Sequence, residues 1–336
     1  MPVKVAINGL GRIGRAVFRI LVDRGEPLEI AAINDLGAPD DLAHLLKYDS
    51  VHGTWDRTIE VADNQLKIGG RGYQCLKVAN PAQAPWHDLG IDIVLESSGL
   101  FRDRDSCLKH LQAGAKKVIV GAPGKNLDGT FVVGVNDEQY DPGTHHMISN
   151  ASCTTNCLAP VARVLHDNFV IEHGLMTTIH SYTMDQRLLD ALHKDRRRAR
   201  ASALSMVPTT TGAAAAVAEV IPELKGKLDG MAIRVPTPNV SLVDLVCRVQ
   251  EKVSARDVNA VLEQAANGQL KGILNYVTEE LVSIDFNHTA FSSSVDAPLT
   301  KVLGGQLVKV LSWYDNEWGY SNRLVDLALH VSRLLH

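Results

Sequence analysis

The chain has 336 residues and a mass of 36.5 kDa, which is enough for two domains of about 150 residues each. Its 34 basic and 38 acidic side chains give a formal net charge of −4, so no overall positive field exists to attract nucleic acid or an anionic membrane. A composition that is 45% hydrophobic and 21% charged is typical of a globular protein and excludes a disordered or collagen-like chain. We therefore expect a folded protein that binds neither nucleic acid nor a membrane.

The sequence shows no segment typical of a membrane or secreted protein. The longest apolar runs, such as 91–95, are far shorter than the roughly 20 residues that a membrane helix requires. A strand-like pattern starts at Val3, without the basic and apolar regions of a signal peptide. These features predict a cytoplasmic location.

The cysteines are few, odd in number and without a CxxC pair, which is unlike a disulfide framework or a zinc site. They are Cys75, Cys107, Cys153, Cys157 and Cys247. We expect reduced thiols and no metal.

Short apolar runs alternate with helix-length segments through the first half of the chain. The predicted strands are 3–8, 29–34, 91–97, 116–120, 131–135 and 147–149. Runs that are apolar on both faces indicate parallel strands with helices on each side, so the sequence predicts a Rossmann-type, doubly wound parallel sheet in an α/β fold. We expect this dinucleotide-binding domain to cover 1–150, completed by a C-terminal helix at about 316–336.

After Asn150 the pattern changes to longer segments with alternating polarity, which indicate a half-exposed antiparallel sheet. The clearest predicted strands are 175–179, 240–249 and 307–313, and the predicted helices are 153–166, 254–267 and about 321–335. Ser254-x-x-Asp257 is an approximate capping box, and Gly268 ends that helix. The sequence thus predicts an α+β catalytic domain with a mainly antiparallel sheet over 151–315.

A glycine loop follows the first predicted strand and opens a helix that runs to about Arg24. In Gly9-x-Gly11-x-x-Gly14, the glycines allow a tight turn, close approach of a pyrophosphate and close contact between helix and strand. Asp35 ends the next strand, where a carboxylate accepts hydrogen bonds from ribose hydroxyls and repels a 2′-phosphate. The alternative is that the glycines only mark a turn and Asp35 only caps one. The register of strand, loop, helix and acid favours NAD as the cofactor.

Cys153 stands among small and hydroxyl residues at the start of a predicted helix, where unpaired N–H groups lower the pKa of a thiol toward the reactive range. Cys157 lies one turn further into the helix and should be more buried. His180 ends a later strand-like run and could stabilise the thiolate or move its proton. The alternative is that Cys153 is a small buried hydrophobe. The remaining histidines of interest, His44, His52, His110, His145, His146 and His166, are expected to be surface or packing residues.

Together these features resemble the phosphorylating glyceraldehyde-3-phosphate dehydrogenases over essentially the whole chain. The motifs that carry the resemblance are VAINGLGRIGR at 5–15, HLLKYDS at 44–50, SNASCTTNC at 149–157, HSYT at 180–183, PTTTGAA at 208–214 and WYDNEWGY at 313–320. The resemblance implies Cys153 as the nucleophile and His180 as the residue that activates it. It also implies glyceraldehyde 3-phosphate and inorganic phosphate as substrates, NAD as the cofactor and a homotetramer in which the arginine-rich stretch 194–200 belongs to a loop that reaches a neighbouring subunit.

The resemblance extends to the residues that hold the ligands. The substrate and phosphate contacts that it implies are Ser152, Thr154, Thr183, Asp185, Arg198, Thr211, Gly212 and Arg234. The implied cofactor contacts, besides Gly9, Gly11, Gly14 and Asp35, are Arg12, Ile13, Ser98, Gly99, Asn316 and Tyr320. Hydroxyls and guanidinium groups suit phosphate oxygens, but which arginine serves which phosphate stays open. Without the resemblance, Asn316 reads as a turn residue and Tyr320 as part of the core.

The chain also departs from the family pattern on the cofactor side. It has Ala191-Leu192 where many NAD-specific members have Leu-Pro and NADP-accepting members often have Ala-Ser, and Ala79 and Gly121 stand near positions where other members have an arginine and a hydroxyl residue. Some use of NADP therefore stays open, although Asp35 favours NAD. Two alternatives remain: the chain could be an erythrose-4-phosphate dehydrogenase or a non-catalytic dinucleotide-binding scaffold. Thr183 and Asp185 follow the pattern of the glyceraldehyde enzymes and therefore disfavour the first.

Overall fold

The structure is a computed structural model that describes residues 2–335. The chain forms two compact units. The first contains the chain up to Phe131, Asp137–Ala151 and the chain from Ser321 onward, and the second contains Val132–Asn136 and Ser152–Tyr320. Met1 and His336, which fall within the predicted first domain and C-terminal helix, lie outside the described residues.

The first unit is built from short strands that alternate with helices. Its elements are β1 (Val3–Asn8), α1 (Arg12–Arg24), β2 (Leu28–Asn34), α2 (Pro39–Lys47), β3 (Tyr48–Asp49), β4 (Gly53–Thr54), β5 (Ile59–Ala62), β6 (Gln65–Ile68), β7 (Arg71–Leu76), α3 (Trp86–Leu89), β8 (Ile93–Glu96), α4 (Arg104–Gln112), β9 (Lys117–Val120), β10 (Gly129–Thr130) and β11 (Met147–Ser149). The central strands β1, β8 and β9 are almost wholly buried on both faces, as expected for a parallel sheet covered by helices.

Within residues 2–335, this unit has a nine-stranded sheet in the order β10-β11-β9-β8-β1-β2-β7-β6-β5. β1 pairs in parallel with β2 on one side and with β8 on the other. Because the chain goes from β1 to β2 and only later returns to β8, the strand order reverses direction beside β1. Ligands of doubly wound sheets bind at such a reversal, beyond the carboxyl ends of the strands. The dinucleotide site is therefore expected at the ends of β1 and β8.

The second unit begins with a long helix and contains longer strands. Its elements are α5 (Cys153–Phe169), β12 (Ile171–Ser181), β13 (Val207–Thr210), α6 (Ala213–Val220), β14 (Leu228–Val235), β15 (Ser241–Val249), α7 (Ala255–Asn267), β16 (Leu274–Val277), β17 (Ser293–Asp296), β18 (Lys301–Leu303), β19 (Leu307–Tyr314) and α8 (Trp318–Arg333), whose later turns belong to the first unit. In the part of the chain that the structure describes, its sheet has eight strands.

This second sheet is mostly antiparallel. β15 pairs antiparallel with β12 and β19, and its residues alternate between buried and partly exposed. β14 is an exception, since it runs parallel to β12 with His180 paired to Arg234. The predicted fold class is confirmed in both halves of the chain. The capping box that was predicted at Ser254 and Asp257 is also present at the start of α7.

The predicted strand at 131–135 is wrong. The nearby strand is the short β10, and the chain then forms a turn in which Asn136 Oδ1 accepts a hydrogen bond from the Val132 amide at 2.8 Å. Gly134 has a φ of +83°, and a Cβ there would lie 2.5 Å from Ile273 Cδ1. The segment is apolar because Phe131 and Val132 are buried, and burial was mistaken for strand pairing.

The strands β5, β6 and β7, which pair antiparallel at one edge of the first sheet, were not predicted. Their turns had a local signal. Asp63 and Asn64 connect β5 to β6, and Gly69 and Gly70 connect β6 to β7, all four with positive φ. Two consecutive residues with positive φ are the requirement of a tight hairpin turn. Among residues 2–335, the structure shows no helix long and apolar enough to cross a membrane.

Candidate active site

The glycine loop forms an open, backbone-lined cradle between β1 and α1. Gly9 has a φ of +92°, and a Cβ there would lie 2.5 Å from Ser98 Cα. A Cβ on Gly14 would lie 2.0 Å from the Gly9 carbonyl oxygen, whereas a Cβ on Gly11 would meet no atom within 4 Å. Gly9 and Gly14 are thus required by the packing, and Gly11 leaves space in front of the first turn of α1. This cradle fits the pyrophosphate of a dinucleotide.

Asp35 follows β2 directly and lies beside this cradle. Its Oδ2 accepts a hydrogen bond from the Leu10 amide at 2.7 Å, and its Oδ1 accepts one from the Gly37 amide at 2.9 Å. Each carboxylate oxygen can accept more than one hydrogen bond. Asp35 is therefore held in one orientation and suits the two hydroxyls of an adenine ribose, so the residues present fit NAD.

We predict that Asp35→Ser weakens NAD binding by about tenfold and reduces discrimination against NADP, because the variant removes the two carboxylate oxygens that accept from the ribose and the charge that repels a 2′-phosphate. Calorimetric binding of NAD and NADP measures both effects. Asp40→Ser, which changes an exposed acid at the start of α2, is the matched control. An unchanged ratio of NAD to NADP affinity in Asp35→Ser would contradict the role given to this residue.

Arg12 and Ile13 open α1, and the Arg12 side chain bonds to a residue that the sequence analysis did not assign. Its Nη1 and Nη2 lie 2.5 and 3.1 Å from the two carboxylate oxygens of Asp49. Although burial opposes it, the bonds from Arg12 and from the His52 and Val51 amides hold the pKa of Asp49 below its usual range. Asp49 orients Arg12. It belongs to the motif at 44–50, but nothing in that motif indicated a contact with Arg12.

Cys153 is the first residue of α5, and Ser152 is its N-cap. Ser152 Oγ accepts a hydrogen bond from the Thr155 amide at 2.9 Å. This bond fixes the N-terminus of α5, where Cys153 lies. Cys153 Sγ lies 3.5 Å from His180 Nε2. Cys157, one turn later, is fully buried, as predicted. The structure thus brings Cys153 and His180 into direct contact.

His180 stands near the end of β12, and the parallel register places Arg234 of β14 beside it. Its Nδ1 lies 2.8 Å from the Ser181 carbonyl oxygen and 2.6 Å from Arg234 Nη1. The carbonyl suits a ring with its proton on Nδ1, and the guanidinium suits a ring with its proton on Nε2. In the first tautomer Nε2 accepts a proton from Cys153, and in the second it donates a hydrogen bond toward the sulfur.

Burial dominates the protonation of this pair. It raises the pKa of the Cys153 thiol, and the charge of Arg234 and the hydrogen bonds with Thr154 lower it only in part. Burial and the charge of Arg234 together lower the pKa of His180 to about 3. Burial raises the pKa of Cys153, and the backbone amides at the helix N-terminus lower it as expected. Loss of hydration outweighs them, so the expected net shift toward the reactive range is wrong for this structure. At neutral pH the pair is a thiol beside a neutral imidazole, which can act as a base.

We predict that iodoacetamide alkylates Cys153 first in the native protein. Part of Cys153 is exposed to solvent, whereas the other four cysteines are buried, and the burial of Cys107, Cys157 and Cys247 raises the pKa of each to about 12. Since the pKa of Cys153 also lies above the usual value, its labelling rate should increase by roughly tenfold per pH unit through the neutral range. Mass spectrometry of labelled peptides measures the order. Earlier labelling of any other cysteine would contradict the assignment.

A buried tyrosine that the sequence analysis did not assign joins this site. Tyr314 Oη lies 2.8 Å from Thr154 Oγ1 and 2.9 Å from Thr178 Oγ1. Its ring packs edge-on against the His180 ring, with centroids 5.9 Å apart. Tyr314 therefore orients both the start of α5 and the imidazole. It lies in the motif at 313–320, which marked the segment but not this contact.

The predicted anion-binding residues lie in the same unit as Cys153. Among residues 2–335, the structure shows no hydrogen-bond partner for the buried Arg234 Nε, which suits a guanidinium that binds an anion. Arg198 bonds to Asp185 and, at 3.0 Å, to Thr209 Oγ1, and its charge contributes to the low pKa of His180. The remaining members, Thr183, Thr211 and Gly212, lie in the loop after β12 and at the start of α6. Their roles stay predictions.

Asn316 and Tyr320 lie where β19 leads into α8. Asn316 is buried, and its Oδ1 accepts hydrogen bonds from Ser181 Oγ at 2.9 Å and Ser241 Oγ at 2.8 Å. These two hydroxyls, neither of which was predicted to belong to the site, fix the orientation of the Asn316 amide with its oxygen toward Ser181 and Ser241. Tyr320 is buried in the first turn of α8. Ser98 and Gly99 follow β8 in the first unit, beside Gly9.

Comparison with known proteins gives the same family over both halves of the chain. A model of the glyceraldehyde 3-phosphate dehydrogenase NAD binding domain matches residues 3–104, and a model of the C-terminal domain of that enzyme matches residues 152–316. The chain is 58% identical over 332 residues to a glyceraldehyde-3-phosphate dehydrogenase of Geobacillus stearothermophilus, with 99% of each chain covered. It is 56% identical over 333 residues to glyceraldehyde-3-phosphate dehydrogenase 1 of Bacillus subtilis, also with 99% of each covered. The Streptomyces coelicolor glyceraldehyde-3-phosphate dehydrogenase is 52% identical over 336 residues, with both chains fully covered.

Proposed function

Because this chain belongs to the glyceraldehyde-3-phosphate dehydrogenase family, we propose that it oxidises glyceraldehyde 3-phosphate with NAD and converts the product into an acyl phosphate, 1,3-bisphosphoglycerate. The observation that carries this proposal is the contact of 3.5 Å between Cys153 Sγ and His180 Nε2. A thiol beside a neutral base, in a chain that also has a dinucleotide cradle and Asp35, suits oxidation of an aldehyde through a covalent thioester.

The first step is addition of Cys153 to the aldehyde. The sulfur forms a bond to the carbonyl carbon while His180 Nε2 accepts the thiol proton, and this proton then goes to the carbonyl oxygen to give a hemithioacetal. His180 next takes the hydroxyl proton of the hemithioacetal as its carbon is oxidised to a thioester. NAD, when bound, supplies the acceptor for the hydride that leaves this carbon.

The second half of the reaction releases the product from Cys153. An oxygen of inorganic phosphate bonds to the thioester carbon, the carbon–sulfur bond breaks, and the Cys153 thiolate leaves. The thiolate takes back the proton that His180 holds, and the proton of the attacking phosphate passes to solvent. Arg234 and Arg198 are suited to hold phosphate oxygens, since a guanidinium presents several donors in a fixed plane. Arg198 donates hydrogen bonds to Asp185 and Thr209. Binding of a phosphate at Arg198 therefore competes with Asp185.

The experiment that tests this function is the initial rate of nicotinamide reduction with glyceraldehyde 3-phosphate. NAD and NADP are compared, each with and without inorganic phosphate. We expect fast reduction of NAD that depends on phosphate and slow reduction of NADP. Comparable rates with NADP would show that the departure at Ala191 and Leu192 outweighs Asp35. No reduction with any combination would refute the proposal and leave erythrose 4-phosphate as the next substrate to try.

We also propose that four copies assemble into a homotetramer and that the protein works in the cytoplasm. The support for assembly is an apolar surface on the loop between β12 and β13. Leu188, Leu189, Leu192, Leu204 and Met206 are each more than 70% exposed, which is unusual for a surface that stays in water. Analytical ultracentrifugation should give about four times the 36.5 kDa chain mass. A monomer would contradict the proposal of a tetramer.

The five free thiols support the proposed cytoplasmic location, because thiols stay reduced in a reducing compartment.

A further inference from the structure

A buried carboxylate that has no role in the chemistry above lies at the carboxyl end of β8. Glu96 is the last residue of β8, its side chain is 1% exposed, and it pairs in the parallel register with Asn8, the last residue of β1. Within residues 2–335 the structure shows no lysine or arginine at ion-pair distance from it. A buried carboxylate is unfavourable unless hydrogen-bond donors replace its water. Glu96 must therefore be satisfied by neutral groups.

Three side chains and one backbone amide supply these donors. Glu96 Oε2 lies 2.5 Å from Asn8 Nδ2 and 3.1 Å from His110 Nε2. Oε1 accepts a bond from the Ser98 amide at 2.8 Å and a second from the Ser98 hydroxyl. With four donors directed at its two oxygens, Glu96 is a fully occupied acceptor, and its position depends on all of them.

The proton of His110 is placed by a tryptophan. Trp86 Nε1 lies 3.0 Å from His110 Nδ1, and an indole N–H only donates, so Nδ1 accepts and the ring proton stands on Nε2. This proton points to Glu96. The His110 ring also packs near Phe101 and Trp86, so it is fixed on both sides. His110 is a packing residue, as the sequence predicted, and in addition a directed donor.

Glu96 determines the shape of the loop that follows it. The Ser98 hydroxyl donates to Glu96 and accepts a hydrogen bond from the Leu100 amide at 3.1 Å. These bonds enclose Gly99, which has a φ of +74°. The loop in turn forms one wall of the glycine cradle, because a Cβ on Gly9 would lie 2.5 Å from Ser98 Cα. Displacing the Glu96 carboxylate would therefore displace the surface against which Gly9 packs.

The same polar row reaches the next strand. Asn8 donates to Glu96 and accepts, through Oδ1, a bond from Asn34 Nδ2 at 2.7 Å. Each of these three residues ends a strand, and the chain continues from them into Asp35, Gly9 and Ser97. The row of Asn34, Asn8 and Glu96 thus fixes the starting points of the three loops around the cradle, and Glu96 is its one charged member.

We propose that Glu96, with His110, is a positioning residue for the dinucleotide: it holds the loop at 97–100 against the glycine loop and thereby sets the affinity for NAD. This inference rests on the proposed function, because it takes NAD as the ligand of the cradle. Glu96→Gln keeps the shape of the side chain but replaces one carboxylate oxygen with an NH₂ group. In either orientation this NH₂ group faces other donors, which are those of Ser98 on one side or those of Asn8 and His110 on the other. The loop should then lose its fixed geometry, and ordering it should cost binding free energy.

The test is the Kd of NAD measured by calorimetry on the full-length protein, together with thermal unfolding. We expect Glu96→Gln to raise the Kd by about tenfold or more, and kcat at saturating NAD to stay within about twofold, since the residue does not touch the reacting atoms. Asp92→Asn is the matched control. Asp92 precedes the same strand at its other end, where its carboxylate accepts a bond from the Lys4 amide at 2.9 Å and pairs with Lys116.

If Glu96→Gln does not fold, His110→Phe takes its place, because it keeps the packing against Trp86 and Phe101 and removes one donor. A folded variant whose Kd for NAD matches that of the parent, even with a lower unfolding temperature, overturns the inference and leaves Glu96 as a residue of stability alone. An equal rise of the Kd in Asp92→Asn would also overturn it. Failure of the proposed function is distinguishable, because it would show in the parent protein itself, as no reduction of NAD with glyceraldehyde 3-phosphate, whereas the inference is judged by the ratio of the NAD Kd values of variant and parent.

Discussion

Replacing Cys153 with serine should lower turnover of glyceraldehyde 3-phosphate by about 10⁴-fold or more while NAD still binds. The side chain is almost the same size, so α5 and its Ser152 cap should stay intact. A hydroxyl beside a neutral imidazole is a much weaker nucleophile toward an aldehyde than a thiol, and an oxygen ester would replace the thioester. Steady-state rates and calorimetric NAD binding on the same preparation measure the two effects.

Cys157→Ser is the matched control, since it makes the same change one turn further along the same helix. Cys157 Sγ lies 3.4 Å from Ser293 Oγ, so a serine hydroxyl there has a partner. We expect near-normal turnover in this variant. If Cys153→Ser kept full activity, Cys153 would not be the nucleophile. If Cys153→Ser also failed to bind NAD, its inactivity would report a damaged fold and not lost chemistry.

The first half of the fold was predictable because its strands are short, apolar on both faces and separated by helices. β1 was predicted as 3–8 and is observed as Val3–Asn8. The limits of this reasoning appear at 131–135, where the apolar run reflects buried side chains in a turn and no strand pairing. Periodicity reports which side chains leave water, and a turn that packs against Ile273 through Gly134 leaves water as completely as a strand does.

The site was predictable to the extent that local sequence carries it. The glycine spacing predicted the loop between β1 and α1. The sequence also placed Cys153 at the start of a helix and His180 at the end of a strand, where the structure has them. Arg234 beside His180 is different, because the two residues are 54 positions apart and meet only through the parallel pairing of β14 with β12. The neutral state of the pair could not be predicted either, because it follows from burial, and sequence patterns near Cys153 indicated only the helix N-terminus.

His180 is expected to act as a base over a wide pH range, and its removal should change the shape of the pH profile as well as the rate. With a pKa of about 3, the ring is neutral above roughly pH 4 and loses its function only when acidification charges it. Activity of the parent should therefore vary little with pH between about 6 and 8. In His180→Asn, the thiol of Cys153 has no base, and its raised pKa leaves only a small thiolate fraction.

We accordingly expect His180→Asn to lower kcat by about 10²–10⁴-fold near pH 7, with a rate that then rises by roughly tenfold per pH unit as hydroxide forms the thiolate. His173→Asn, an exposed change near the other end of β12, is the control and should behave like the parent. A uniform loss with an unchanged profile would show that His180 positions other groups without moving a proton. That distinction matters because Nδ1 of the same ring contacts Arg234, so a purely structural role would act through the guanidinium and leave the pH dependence of the thiol chemistry intact.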